Sequence, residues 1–160
     1  MSKRLRIQSD MAFDNAGTTT DITLTAGTER FLDSLTLELT NREEKVLVQG
    51  VFSIALPGIT VAALGNHIDA TIKVYRDEAQ TDLAYTFDAT LLAAQVVIAA
   101  ATAATNYQVP IQFEEVPPLK VTEDTVNYYI TITVTNTGLT LAAGNIVLTQ
   151  YSIVAQEIAQ

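Results

Sequence analysis

Between Thr125 and Gly138 the chain reads TVNYYITITVTNTG, with Tyr128, Ile130, Ile132 and Val134 on one side and Tyr129, Thr131, Thr133 and Thr135 on the other. A side-chain period of two belongs to a half-buried β-strand, because successive Cβ atoms of a strand point to opposite faces. The alternation recurs from residue 31 to the end. Leu35, Leu37 and Leu39 oppose Ser34, Thr36 and Glu38. Val46, Val48, Phe52, Ile54 and Leu56 share a face with Gly50 in register, a position that invites close approach of a neighbouring backbone or large side chain. Ile68, Ala70, Ile72 and Val74 form an inward set, which turns Asp69, Thr71, Lys73 and Tyr75 outward. Tyr85, Phe87, Ala89 and Leu91 form another, and Val109, Ile111 and Phe113 a further one, where Pro110 marks an edge strand because proline donates no ladder hydrogen bond. The last strand, NIVLTQYSIV from Asn145, is apolar on both faces.

Turn residues separate these runs at Asn41-Arg42, Pro57-Gly58, Gly65-Asn66, Asp77 to Asp82, Pro117-Pro118, Asn136 to Gly138 and Gly144-Asn145. Closely spaced strands without a long helical pattern imply an all-β, antiparallel sandwich, with a jelly roll as the leading topology. One stretch resists the pattern. In TLLAAQVVIAAATAAT, from Thr90, the alanines favour helix and Val96, Val97 and Ile98 favour strand; the reading is a buried strand entering an irregular loop near Thr102, with a short helix as the alternative. So apolar a segment must be covered, inside the sandwich or by a neighbouring subunit. Residues 1–20 read as a polar, flexible N-terminal arm and residues 21–160 as one jelly-roll domain.

A chain of 160 residues has room for one full core. Charged residues make up 17% against a typical share of about 25%, and hydrophobic ones 48%, so some apolar surface is expected to meet another copy of the chain. Net charge is −9, and beyond Lys3, Arg4 and Arg6 six basic residues face eighteen acidic ones. Such a body repels phosphate, which argues against a nucleic-acid partner. Without cysteine there is no disulfide framework or thiolate metal site. The start MSKRLRIQSDMAF lacks the apolar core of a secretory signal, and LLAAQVVIAAATAA, from Leu91, is too short for a membrane span.

No chemistry announces itself. His67 is the lone histidine, so neither a nucleophilic triad nor a histidine zinc site can be assembled, and it reads as a turn residue. Acidic groups at Asp77, Glu78 and Asp82, at Glu114 and Glu115, and at Glu123 and Asp124 match no calcium-loop spacing and read as solvated loops that discourage edge pairing. No catalytic, metal or cofactor residue is assigned. Tyr75 and Tyr129, read as outward, suit a subunit contact better than a sugar platform. The threonine stripe suits a half-solvated face better than an ice-binding lattice. Residues expected at a self-association interface are Val96, Val97 and Ile98, with Val147, Tyr151 and Ile153 of the last strand.

In DTVNYYITITVTNTGLTLAAGNIVLTQYSIVAQEI, the strand ending Thr-Asn-Thr-Gly, the LTLAAG connection and the final two-faced strand resemble the C-terminal end of trimeric jelly-roll domains of bacterial spore-surface (exosporium) proteins. Their fold is similar to that of tumour-necrosis-factor and complement-type trimers. EEKVLVQGVFSIAL followed by HIDATIKVYRD resembles the central strands of that family, and no Gly-X-Y tract accompanies them. The resemblance implies a non-enzymatic homotrimer packed about a threefold axis on the spore surface, with other layer proteins as partners. A viral or phage decoration or fibre-head protein, and a carbohydrate- or calcium-binding module, are the alternatives.

Overall fold

A computed structural model describes residues 13–61, 63–93, 103–142 and 144–158. In chain order its strands are β1 (Phe13–Thr18), β2 (Ile22–Leu24), β3 (Arg30–Glu38), β4 (Lys45–Leu56), β5 (Ile59–Val61), β6 (His67–Tyr75), β7 (Leu83–Ala93), β8 (Thr105–Glu115), β9 (Thr125–Thr137), β10 (Thr140–Leu141) and β11 (Ile146–Ile158). One large sheet runs β1-β11-β4-β8, with β2 also pairing β11, the second runs β3-β9-β6-β7, and β5 pairs with β10 in a small two-stranded sheet. Apart from the β6–β7 hairpin, successive long strands switch sheets. That order is a jelly roll, as the spacing of strands and turns implies.

The alternating positions fill the space between the sheets. Leu35, Leu37, Val46, Val48, Phe52, Ile54, Ile68, Ile72, Ile130, Ile132, Leu148 and Ile153 all belong to one buried cluster. Gly50 sits in that inward row because a Cβ there would come within 2.8 Å of the Ser152 carbonyl oxygen and 3.1 Å of the Ile153 Cβ. β8 lies at the edge of its sheet, as Pro110 indicates.

Three findings correct the sequence reading. Phe13–Thr18, assigned to the arm, pairs with β11 as β1. Its polar, glycine-containing sequence hides a strand because that strand borrows its order from the ladder. Tyr75 is buried rather than outward, since Glu29, in the β2–β3 connection, accepts a hydrogen bond from its phenol at 3.0 Å and covers the ring. Thr131, from the threonine stripe, is also buried and donates to Glu29 at 2.5 Å.

The third correction concerns β11. Its ladder with β4 passes from Leu148↔Ile54 to Gln150↔Ser53, leaving Thr149 as the extra residue of a bulge. The bulge inverts the parity of the strand, so Leu148 and Tyr151, three residues apart, both face the core. Val147, Tyr151 and Ile153 therefore do not share a face.

Candidate interaction surface

With the interior filled by side chains, the groups left for recognition lie on the outer faces and along the rims. The two faces differ in charge. On the β6-β7-β9 side, cross-strand neighbours form a lattice of Thr133, Thr71 and Asp88 in one row and Thr135, Asp69 and Thr90 in the next. Thr71 donates to Asp88 at 2.5 Å and Thr90 to Asp69 at 2.7 Å, while Lys73 lies 3.2 Å from Glu29. Burial pushes the Glu29 carboxyl up, but hydrogen bonds from Thr131, Lys73 and Tyr75 outweigh it and hold the group below its ordinary value. Thr131, Thr71 and Thr90 thus each donate to a carboxylate.

Among the described residues, the outer face of the other sheet carries no such ions across its middle. Register places Gly17, Ser152, Val51 and Pro110 in one row, and Asn15, Val154, Gln49 and Gln112 in the next. Gln150, Ser53 and Gln108 follow, and then Val147, Ala55 and Asn106. Val51 is 40% exposed, and a shallow depression of about 350 Å³ lies around it, between Gln49, Pro110, Gln112, Ser152 and Val154. Charge returns at one end, where Lys45 pairs with Glu114 at 3.5 Å. At about 4.8 Å between strands and 6.8 Å between same-face neighbours, two rows of four residues and two of three span roughly 460 Å².

The rims are closed by polar links between the sheets. Tyr151, on β11, donates to the Asp33 carboxylate on β3 at 3.1 Å, and burial with this bond pushes its phenol up to about 12. Beside it an open crevice of about 660 Å³ is lined by Asn15, Thr18, Thr19, Asp33, Ser34 and Ser152. At the opposite rim Arg76, the residue after β6, is bound by Glu115 of β8 and lies 2.7 Å from Asp82. Tyr128, on β9, donates to Glu115 at 2.8 Å, and burial drives its phenol well above the ordinary range.

Of the residues expected at an interface, Val96, Val97 and Ile98 lie outside the described residues. Val147 is half-buried on the uncharged outer face. Tyr151 and Ile153, 4% and 0% exposed, belong to the chain's own core, which removes both side chains from contact with another copy. Tyr129 stands against Phe31, which is 49% exposed, with ring centroids 6.5 Å apart. His67 is engaged locally, with Nδ1 2.9 Å from the Gly65 carbonyl oxygen and Nε2 3.3 Å from Asp69. Asp77 caps its own loop, accepting from the Asp82 and Thr81 amides at 2.7 and 2.9 Å. The sequence reading passed over Gln49, Val51 and Ser53; the signal was there, since the outward positions of VLVQGVFSIA on β4 carry no charge.

No family model matches this chain, and no curated protein matches it. Among solved structures, it overlaps a chain of infectious bursal disease virus, Gx strain, with a TM-score of 0.47 and 14% identity over 93% of this chain and 32% of that one. A structure of the Gt strain gives 0.35 and 12% over 92% and 41%. The crystal structure of the VP2 subviral particle of the same virus gives 0.29 and 9% over 94% and 42%. The chain spans less than half the length of each. Overlap this loose leaves the functional reading to the chain's own geometry.

Proposed function

We propose that this chain is a non-enzymatic structural module that pairs with a second copy of itself through the outer face of the β1-β11-β4-β8 sheet, as a unit of a larger particle or surface layer. One observation carries this reading: in a chain of net charge −9, the described residues leave one broad sheet face free of ionised side chains in its middle rows. Copies of an acidic protein repel one another wherever their carboxylates meet. On the β6-β7-β9 side an approaching copy faces Asp69 and Asp88; on the uncharged face it meets amides, hydroxyls and aliphatic groups. The cores of protein interfaces are depleted in charge in the same way. Roughly 460 Å² per partner gives about 900 Å² buried in total, the size of a weak, reversible interface.

A face that matches itself pairs about a twofold axis, so a dimer is the expected unit, in place of the trimer implied by the spore-surface resemblance. For the setting, a viral or phage particle is preferred over a spore layer. Double-sheet jelly rolls recur in viral shells, an analogy at the level of fold, whereas the spore setting stands on strand motifs of a general kind.

Because the chain has no cysteine, a single introduced thiol reports on one face without background. Val51→Cys should give a crosslinked dimer with a short bis-maleimide, and Thr133→Cys, on the charged face, should not. Crosslinking from Thr133→Cys alone would assign the contact to the wrong sheet. A second reading attaches to the hydroxyl- and amide-lined crevice between β1 and β3, whose chemistry suits a neutral polyhydroxyl ligand. A glycan panel read by thermal shift tests it, with Asp33→Asn as the control expected to abolish any shift.

A further inference from the structure

Leu24 anchors β2 in the core and Leu35 and Leu37 anchor β3, but residues 25–29 between these strands all lie at the surface. A turn closed by the Thr28 amide on the Thr25 carbonyl oxygen at 3.1 Å sets Gly27 at φ +77°, the left-handed region that glycine adopts at little cost. The Gly27 amide then donates to the Val134 carbonyl oxygen of β9 at 2.8 Å. The remaining ties to the sheet run through Glu29. Its Oε1 accepts the Thr131 hydroxyl of β9 at 2.5 Å and the Tyr75 phenol of β6 at 3.0 Å, and its Oε2 lies 3.2 Å from the Lys73 ammonium of β6. One carboxylate thus spans two strands and lies over Tyr75, which is 8% exposed.

We propose that residues 25–29 form a strap over Tyr75, latched by the ionised Glu29 carboxylate, and that acid releases the strap while the sandwich beneath it stays folded. All three partners are donors suited to an ionised carboxylate. Once protonated, the carboxyl must place its own hydrogen among them; the two hydroxyls can turn to accept it, but the Lys73 ammonium has no lone pair and loses its counter-charge. Arg30, the residue after Glu29, is exposed. Across from the latch β9 presents Thr131 and Tyr129, and β7 presents Thr86 beside Lys73, none of them charged in acid. The carboxylates of this face, Asp69 and Asp88, accept from Thr90 and Thr71 in the rows beyond, and Asp33 of β3 accepts from Tyr151.

The folded value of Glu29 lies below its ordinary 4.5, so the latch is complete above that value and is lost as pH falls through the folded one. Beneath the strap, register sets Ser34, Tyr129, Tyr75 and Leu83 in one row, with Phe31 against Tyr129. Phe31 and Leu83 are already exposed. Lifting the strap adds Tyr75 to them, so acid turns one end of the charged face aromatic. The device belongs to the sheet opposite the pairing face and depends on no second copy.

Amide exchange followed by NMR on the full chain, corrected for intrinsic rates, reads the strap at Gly27 and the sandwich at the ladder amides of β6 and β9. In the parent, Gly27 should lose protection by roughly tenfold or more between about pH 7 and about pH 3, the factor set by one hydrogen bond to a charged group, while the ladder holds. Glu29→Ala should show the fast Gly27 exchange already at about pH 7, with no further step in acid. Gly27 protection that stays constant over this range in the parent, or that vanishes only together with the ladder amides, would overturn the proposal; the parent alone decides it if Glu29→Ala does not fold. A folded Glu29→Ala variant with parental Gly27 protection at neutral pH would overturn it as well.

Discussion

Two aspartate substitutions on adjacent strands should have opposite outcomes. Ile153 and Val51 are diagonal neighbours across the β4–β11 ladder, yet Ile153 is 0% exposed in the core and Val51 is 40% exposed on the outer face. Ile153→Asp removes about 1.5–3 kcal/mol of apolar burial and places a carboxyl where no water reaches, costing several kcal/mol more or forcing its protonation. Against a total of about 5–15 kcal/mol for a domain, that loss threatens the fold itself. Val51→Asp should leave the monomer within about 1 kcal/mol of the parent, the range for an outward strand position. In a face-to-face pair the same substitution sets two buried like charges near each other, at a cost of several kcal/mol, or roughly a hundred- to a thousandfold in dissociation constant. Light scattering coupled to size-exclusion chromatography reads mass, and circular dichroism with urea melts reads fold. A folded monomer from Val51→Asp and a chain that fails to fold from Ile153→Asp are expected. A Val51→Asp variant that keeps the parental mass, or an Ile153→Asp variant with parental stability, would refute the face assignment.

Gly50→Ala should lower the melting temperature by several degrees: close approach of Ser152 and Ile153 makes the new methyl cost about 1–3 kcal/mol, against a gain of about 0.4–1 from a stiffer unfolded chain, so a rise in the melt would contradict the packing. Arg76→Met leaves the largely buried Glu115 without its cation and should cost about 2–3 kcal/mol in urea melts, part of it recovered in the double variant with Glu115→Met, which leaves only the exposed Asp82 without its cation and the Tyr128 hydroxyl without its acceptor. Glu29 makes the stability of the chain depend on pH in acid. Its lowered folded value means that its contribution is present above 4.5 and fades as pH falls through that folded value, so Thr131→Val should flatten the acid limb of the stability profile by about 0.5–1 kcal/mol after allowance for solvent; an unchanged limb would remove the β2–β3 strap from the account.

The alternation of Leu35 and Leu37, of Ile68 to Val74 and of Tyr128 to Val134 named the inward faces correctly because a period-two pattern translates directly into side-chain direction. The same rule failed on β11. A bulge changes parity by one residue, and in a strand that is apolar on both sides nothing in the residue types marks where the change falls. Strands of two or three residues such as β2, β5 and β10 are too short to carry a period. Tyr75 went astray for another reason: it does stand on the outer side of its sheet, but the connection between β2 and β3 folds over it, and such long-range cover leaves no local trace. The links of Tyr151 to Asp33 and of Tyr128 to Glu115 join residues 118 and 13 positions apart. The uncharged face was legible strand by strand and became a surface only once register set Gln49, Gln112 and Val154 side by side.

Three of the four edges of the large sheets discourage association by strand addition. Strand addition needs a free row of amides and carbonyls along an edge. On β8 that row is interrupted by Pro110, and Glu114 adds a charge near its end. On the other sheet, β3 is broken by a bulge between Phe31 and Asp33, and β7 carries Asp88. Each interruption disfavours a new strand by removing a donor, twisting the ladder or adding a like charge to an already acidic partner. The flat face has none of these obstacles. Its side chains, being neither strongly apolar nor ionised, remain soluble when single and lose little solvation when paired, so association there should be reversible. Added salt, which screens the carboxylates elsewhere on both copies, should strengthen it.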